Sequence, residues 1–145
     1  MSIYLDTSFL VPYYFNEASS ERVEAVLTAV PVGALVVSAW TRLEFVSTVA
    51  RLVRMDRLPG EANSLVDRLD EHLRSVFTPL EPEATDFRAA AEILLYDPRL
   101  GLRGPDALHL ALAASRGLVL YTLDRALLGA AHALGLAASD AGIDL

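Results

Sequence analysis

The sequence contains no lysine and no cysteine. All twelve basic residues are arginines, set against nineteen acids, for a formal charge of −7. Without lysine there is no P-loop lysine, no Schiff base, and no phosphate-binding lysine of the kinase or receiver-domain kind. Without cysteine there is no disulfide framework, thiolate nucleophile, iron–sulfur centre or Cys-based zinc site. The three histidines, His72, His109 and His132, show no HExxH or similar spacing, which argues against a His-ligated metal. Polar chemistry therefore falls on carboxylates, arginines and hydroxyls.

Long apolar runs are also missing. Ala25 to Thr41 is 17 residues without a charge, but Pro31 and Gly33 interrupt it. It reads as two core elements and a turn, because a membrane helix needs about 20 unbroken apolar residues. The opening Met1 to Asp6 has no basic stretch and reaches an acid at once, unlike a signal peptide. The expected setting is a reducing cytoplasm. What the chain has is 145 residues, 53% hydrophobic and 21% charged, which is too apolar for disorder. One domain over 1–145 is expected, and a chain of this size buries ~68% of its unfolded surface.

Buried strands are predicted at Ile3–Leu5, Ala34–Ser38 and Leu118–Thr122, with shorter ones at Phe77–Leu80 and Leu136–Ala138. Helices are predicted from Phe9 to Phe15 with Pro12 in the first turn, and from Ser19-Ser20-Glu21 to Val30 with Val23, Val26 and Leu27 inward. A long helix over Ala39–Arg54 carries a stripe of Leu43, Val46, Ala50 and Val53. Pro59-Gly60-Glu61 opens a helix with Leu65, Leu69 and Leu73 inward. Pro82 leads another to about Tyr96, Asp97 to Gly101 is a loop, and Gly104-Pro105-Asp106 opens an Ala/Leu-rich helix to about Arg116. The last runs from Arg125 to Leu134. Strands alternating with helices imply an α/β fold of three layers, a short parallel sheet of roughly four to five strands with helices on both faces.

Four acids stand where solvation alone does not explain them. Asp6 ends the first strand, Asp124 follows the Leu118–Thr122 strand, and Asp106 lies in the first turn of an otherwise apolar helix. Each also sits at a helix start, where an acid caps free N–H groups, so a purely structural role stays open. Glu44 has no helical cation at i±3 or i±4, and an unpartnered carboxylate in an apolar helix costs several kcal/mol unless a metal or an arginine meets it. In an open parallel sheet, ligands bind beyond the carboxyl ends of the strands, where all four acids arrive. Hard oxygen donors with open water positions suit Mg²⁺ or Mn²⁺, and such a site suits phosphodiester hydrolysis.

The pieces Tyr4-Leu5-Asp6-Thr7-Ser8, Arg42-Leu43-Glu44-Phe45, Pro105 to Ala113 (PDALHLALA) and Leu118 to Asp124 (LVLYTLD) stand in order along the chain. In these the sequence resembles the PIN-domain ribonucleases, most closely the VapC-like toxins of bacterial and archaeal toxin–antitoxin pairs. The resemblance covers essentially the whole chain. It implies a PIN-like fold and a Mg²⁺- or Mn²⁺-dependent endoribonuclease cutting single-stranded or structured RNA. It implies Asp6 and Asp106 as direct metal ligands, with Asp124 and Glu44 completing the catalytic set and Thr7, Ser8 and Thr122 as supporting hydroxyls. It also implies an antitoxin partner and a homodimer. A mean hydropathy of +0.36 agrees with a covered apolar surface.

The rival reading is a non-catalytic PIN-fold protein-interaction module. A small-molecule phosphohydrolase fits less well, because Asp6-Thr7-Ser8 lacks the second aspartate that haloacid-dehalogenase-like phosphatases use. His109 reads as a packed histidine, His72 as a surface one, and Tyr13-Tyr14-Phe15 as core or partner surface. Arg99 and Arg103 precede Asp106, either as RNA contacts or as solvated loop residues. Asp140 and Asp144 fall in a tail without assignment.

Overall fold

Short apolar runs bounded by turn residues pair into one parallel sheet in a computed structural model that describes residues 2–58, 60 and 62–143. In chain order the elements are β1 (Ile3–Leu5), α1 (Thr7–Tyr14), α2 (Ser20–Ala29), β2 (Leu35–Ser38), α3 (Ala39–Arg54), α4 (Ala62–Ser75) and β3 (Thr78–Leu80). They continue as α5 (Ala84–Tyr96), α6 (Gly104–Ala114), β4 (Val119–Tyr121), α7 (Arg125–Ala133) and β5 (Ala138–Ser139). The strand order is β3-β2-β1-β4-β5, all parallel, with Ile3 opposite both Leu35 and Val119. Strand residues alternate between two cores. Ile3, Leu5, Leu35 and Val37 pack against α1 to α4, whereas Tyr4, Val36, Leu80 and Leu120 pack against α5 to α7. Burial on both faces is why these strands read as continuous apolar runs. This is the expected three-layer α/β fold, with five strands.

The chain steps from β1 outward to β2 and β3, then returns across β1 to β4 and β5. That reversal makes the carboxyl ends of β1 and β4 the topological switch point, the place where doubly wound sheets bind ligands.

Several elements differ from expectation, each for a local reason. α1 starts at Thr7 rather than Phe9, because the Asp6 carboxylate accepts the Phe9 N–H at 3.1 Å and caps the helix two residues earlier. Pro12 therefore lies inside α1 and not in its first turn. α3 has the expected bounds but a different phase. Thr41, Phe45 and Val49 are buried, whereas Leu43 is 57% and Val53 42% exposed. The cause is Thr41, whose N–H reaches the Ser38 hydroxyl at 3.0 Å and whose own hydroxyl donates to the Leu5 carbonyl at 3.0 Å. At 100° per residue this turns Leu43 to the outer side.

The last strand forms at Ala138–Ser139 and not Leu136–Ala138. Gly135 (φ 70°) and Leu136 close α7 in a Schellman turn, Leu136 N–H donating to Ala131 O at 2.9 Å. α5 begins at Ala84 behind a Glu83/Asp86 capping box, and buried Asp86 also accepts both Arg116 nitrogens at 2.9 Å, tying α5 to the end of α6. The Asp97–Gly101 segment contains a single 3₁₀ turn, Pro98–Leu100. Pro59, Glu61 and Asp144 lie outside the described residues.

His72, expected at the surface, is only partly exposed. It is half-buried with Nδ1 2.6 Å from the Tyr14 hydroxyl, among the rings of Tyr13, Tyr14 and Phe77. Tyr14 itself is buried edge-on against Phe45, so that part of the aromatic stretch is core. Among the described residues no helix is long and apolar enough to cross a membrane.

Candidate functional site

Asp6 emerges from the carboxyl end of β1 and is buried, 4% exposed. Its Oδ1 accepts from Phe9 N–H and from the Ser8 hydroxyl at 2.8 Å, and its Oδ2 accepts from the Thr122 hydroxyl at 2.9 Å. The two hydroxyls are held in turn by backbone of the next strand's exit: Leu123 N–H donates to Ser8 Oγ at 2.9 Å and Asp124 N–H to Thr122 Oγ1 at 3.0 Å. Burial pushes the Asp6 carboxyl up to about 6, against the lowering pull of His109 and of these hydrogen bonds.

Asp124 follows β4 and caps α7, its Oδ1 accepting from Ala126 and Leu127 N–H at 2.9 and 3.1 Å. Asp106 does not cap. The N-cap of α6 is Arg103, and Asp106 stands in the first turn behind Pro105, half-buried, its carboxylate accepting no hydrogen bond among the described residues. Its carboxyl is raised by burial and by the charge of Asp124, then by Glu44, with His109 and Arg103 pulling the other way. Capping therefore accounts for Asp6 and Asp124 in part, and for Asp106 not at all.

Glu44, on α3, has the partner that its own helix lacks. The Thr7 hydroxyl donates to its Oε1 at 2.7 Å, and His109 Nε2 meets the same oxygen. A carboxylate only accepts, so that ring nitrogen carries the proton in this contact, an assignment made from the network. His109 is buried, and its Nδ1 lies 2.7 Å from the Tyr4 hydroxyl, which reaches Ser38 Oγ at 2.8 Å. Burial pushes Glu44 up, but the His109 contact and the Thr7 hydroxyl outweigh it and hold the carboxyl below the usual range. The expectation that Glu44 needed a metal or an arginine is corrected: a histidine 65 residues away meets it. Sequence reasoning read His109 as packed, which it is, and missed what it packs against. The available signal was its place three residues after Asp106, on the same face of α6.

The geometry thus gathers Asp6 and Asp124 through Ser8 and Thr122, and sets Asp106 within electrostatic reach of Asp124 and Glu44. Arg99 stands apart, paired with Asp97 at 3.3 Å. Among the described residues no three His, Asp or Glu side chains close into a cage for an ion. An all-protein cage of the calcium kind is not what these donors form. A hard cation held by one or two carboxylates and otherwise by water is the kind that fits, since Asp106 offers unengaged oxygens beside other acids.

Residues 3–133 match the family described as PIN domain. No curated protein sequence matches the chain. Among solved structures, VapC20 of Mycobacterium tuberculosis, a toxin that cleaves the sarcin–ricin loop, is 20% identical with a TM-score of 0.74, over 93% of this chain and 96% of its own. FitAcB from Neisseria gonorrhoeae is 24% identical with a TM-score of 0.72, over 96% of this chain and 97% of its own. VapBC-1 from nontypeable Haemophilus influenzae is 17% identical with a TM-score of 0.71, over 99% of this chain and 100% of its own. At these identities the likeness is one of fold.

Proposed function

The chain belongs to the PIN-domain family, and on that footing we propose that it is a Mg²⁺- or Mn²⁺-dependent endoribonuclease acting as the toxin of a toxin–antitoxin pair. The observation that carries the reading is the Asp106 carboxylate, which accepts no hydrogen bond among the described residues and lies within electrostatic reach of Asp124 and Glu44. Asp6 and Asp106 would hold the cation, with Asp124 and Glu44 completing the catalytic set. Bound there, a divalent cation supplies a nucleophile at neutral pH and neutralises charge on the scissile phosphate. The chain's own residues do the rest. Ser8 and Thr122 orient the Asp6 carboxylate, in the way that outer hydrogen bonds orient ligands. Thr7 and His109 both hold Oε1 of Glu44, which keeps that group ionised and leaves Oε2 to accept from water or from a substrate hydroxyl.

The test is direct. Incubated with unstructured RNA or with a structured ribosomal hairpin, the protein cleaves when Mg²⁺ or Mn²⁺ is present and stops in excess EDTA. Robust cleavage in EDTA overturns the metal-dependent reading. No cleavage with any divalent ion favours the interaction-module reading instead.

The reading carries two partners and a compartment. A net charge of −7 favours a basic antitoxin, because complementary charge steers association. RNA as substrate calls for the cytoplasm. The reading also includes a second copy of the chain as partner, which exposed Leu95 and Tyr96 at the end of α5 (78% and 80%) and Leu43 and Phe87 on α3 and α5 support. Light scattering at micromolar protein is expected to give twice the 15.7 kDa chain mass. A monomeric mass would remove the dimer.

A further inference from the structure

A cleft of about 290 Å³ runs along α3 from Glu44, lined by Thr7, Glu44, Ser47, Thr48, Arg51 and Arg54. The α3 residues recur at helical spacing, so they share one face. With a rise of 1.5 Å per residue, Arg51 and Arg54 stand roughly 10 and 15 Å beyond Glu44 along the helix axis. The cleft therefore has an acidic end at the site and a cationic end away from it.

Arg42, Arg74, Arg99 and Arg116 are engaged by Asp70, Glu71, Asp97 and Asp86, and Arg68 lies over the Tyr14 ring. Among the described residues Arg51 and Arg54 form no ion pair, and the exposed Ser47 hydroxyl makes no hydrogen bond. A protein of charge −7 repels a polyanion at long range, so affinity for one must come from a local patch. Guanidinium groups suit that work, because their fork matches two phosphate oxygens.

Resting on the ribonuclease reading, we propose that this cleft is the track for the RNA backbone next to the scissile bond, with Arg51 and Arg54 holding phosphates and Ser47 donating to the backbone between them and Glu44. Both arginines also occupy the last turn of α3, where they complement the helix dipole. That structural role alone moves the melting temperature and leaves RNA affinity as it was.

The experiment measures binding of a fluorescent single-stranded RNA by anisotropy, in EDTA and over a range of salt. It compares the wild type, Arg51→Ala/Arg54→Ala, Arg51→Lys/Arg54→Lys, and an Arg22→Ala/Arg88→Ala control that removes the same two charges from α2 and α5. The alanine pair is expected to bind roughly tenfold more weakly, the order for two exposed charge contacts. Its slope of log affinity against log salt should be shallower by about 1.4, or ~0.7 for each lost phosphate contact. The lysine pair keeps most of the slope, and the control binds as the wild type does. With Mg²⁺ present, KM for the alanine pair rises by more than kcat falls. Wild-type affinity and slope in the alanine pair overturn the track, as does an equal loss in the control. A wild type that binds RNA with the expected salt slope but cuts nothing sinks the ribonuclease reading alone, whereas a cutting wild type matched in KM by the alanine pair sinks the track alone.

Discussion

Asp106→Asn is expected to slow RNA cleavage by about a thousandfold while the protein melts within a few degrees of the wild type. Losing a cation-holding carboxylate forfeits several kcal/mol of charge stabilisation in the transition state, and each 1.36 kcal/mol is a factor of ten in rate. The fold does not share the loss. The Asp106 carboxylate accepts no hydrogen bond among the described residues, and burial together with repulsion from Asp124 and Glu44 outweighs the attraction of His109 and Arg103. Asn keeps the shape and removes that repulsion. Initial rates on RNA with Mg²⁺, set beside thermal melts, give the answer. Cleavage by Asp106→Asn within tenfold of the wild type would take this residue out of the machinery.

The metal-free protein should grow more stable as the pH falls from 7.5 to 5. The Asp6 carboxyl is raised from 3.8 to about 6, so the folded chain binds a proton there before the unfolded chain does. The resulting stabilisation is complete below pH ~4 and is lost as the pH rises through about 6. Two pKa units correspond to about 3 kcal/mol. Asp106 is raised as well and acts in the same direction, His72 is lowered by burial and opposes the trend over the same range, and Glu44 is lowered and withdraws its stability only under more acidic conditions, so the Asp6 share is read from the difference between wild type and Asp6→Asn.

In EDTA, then, the wild-type melting temperature climbs towards pH 5, and Asp6→Asn starts high at pH 7.5 and climbs much less. Mg²⁺ at 100 times its dissociation constant restores about 2.7 kcal/mol to the wild type at pH 7.5 and little to Asp6→Asn. Parallel pH curves for the two proteins would show that Asp6 is not the group responsible. A matched rise with NaCl in place of Mg²⁺ would show screening and not binding.

The sheet was legible because Ile3–Leu5, Leu35–Ser38 and Val119–Tyr121 are short apolar runs closed by turn residues, a pattern helices seldom make. Following each strand to its end also located Asp6 and Asp124 on one edge. α3 was legible in extent and not in phase. Its sequence offers two stripes of similar apolarity, and the choice between them is made by the Thr41 hydroxyl bonding to Leu5 O across the sheet. No local pattern reports a bond of that range. The Glu44–His109 contact was hidden for the same reason, as was the fact that Asp106, unlike its two counterparts, caps nothing.

Asp6 and Asp124 each close the first turn of a helix with the carboxylate oxygen that asparagine would also supply, and asparagine caps nearly as well as aspartate. If these carboxylates serve the chemistry proposed above, one such exchange removes it while the cap, and with it the start of the helix, stays in place. The reverse exchange at position 6 reinstates a buried charge and loosens the metal-free chain. On that reading, stability alone favours asparagine at position 6, and the aspartate is kept there for its charge rather than for its cap.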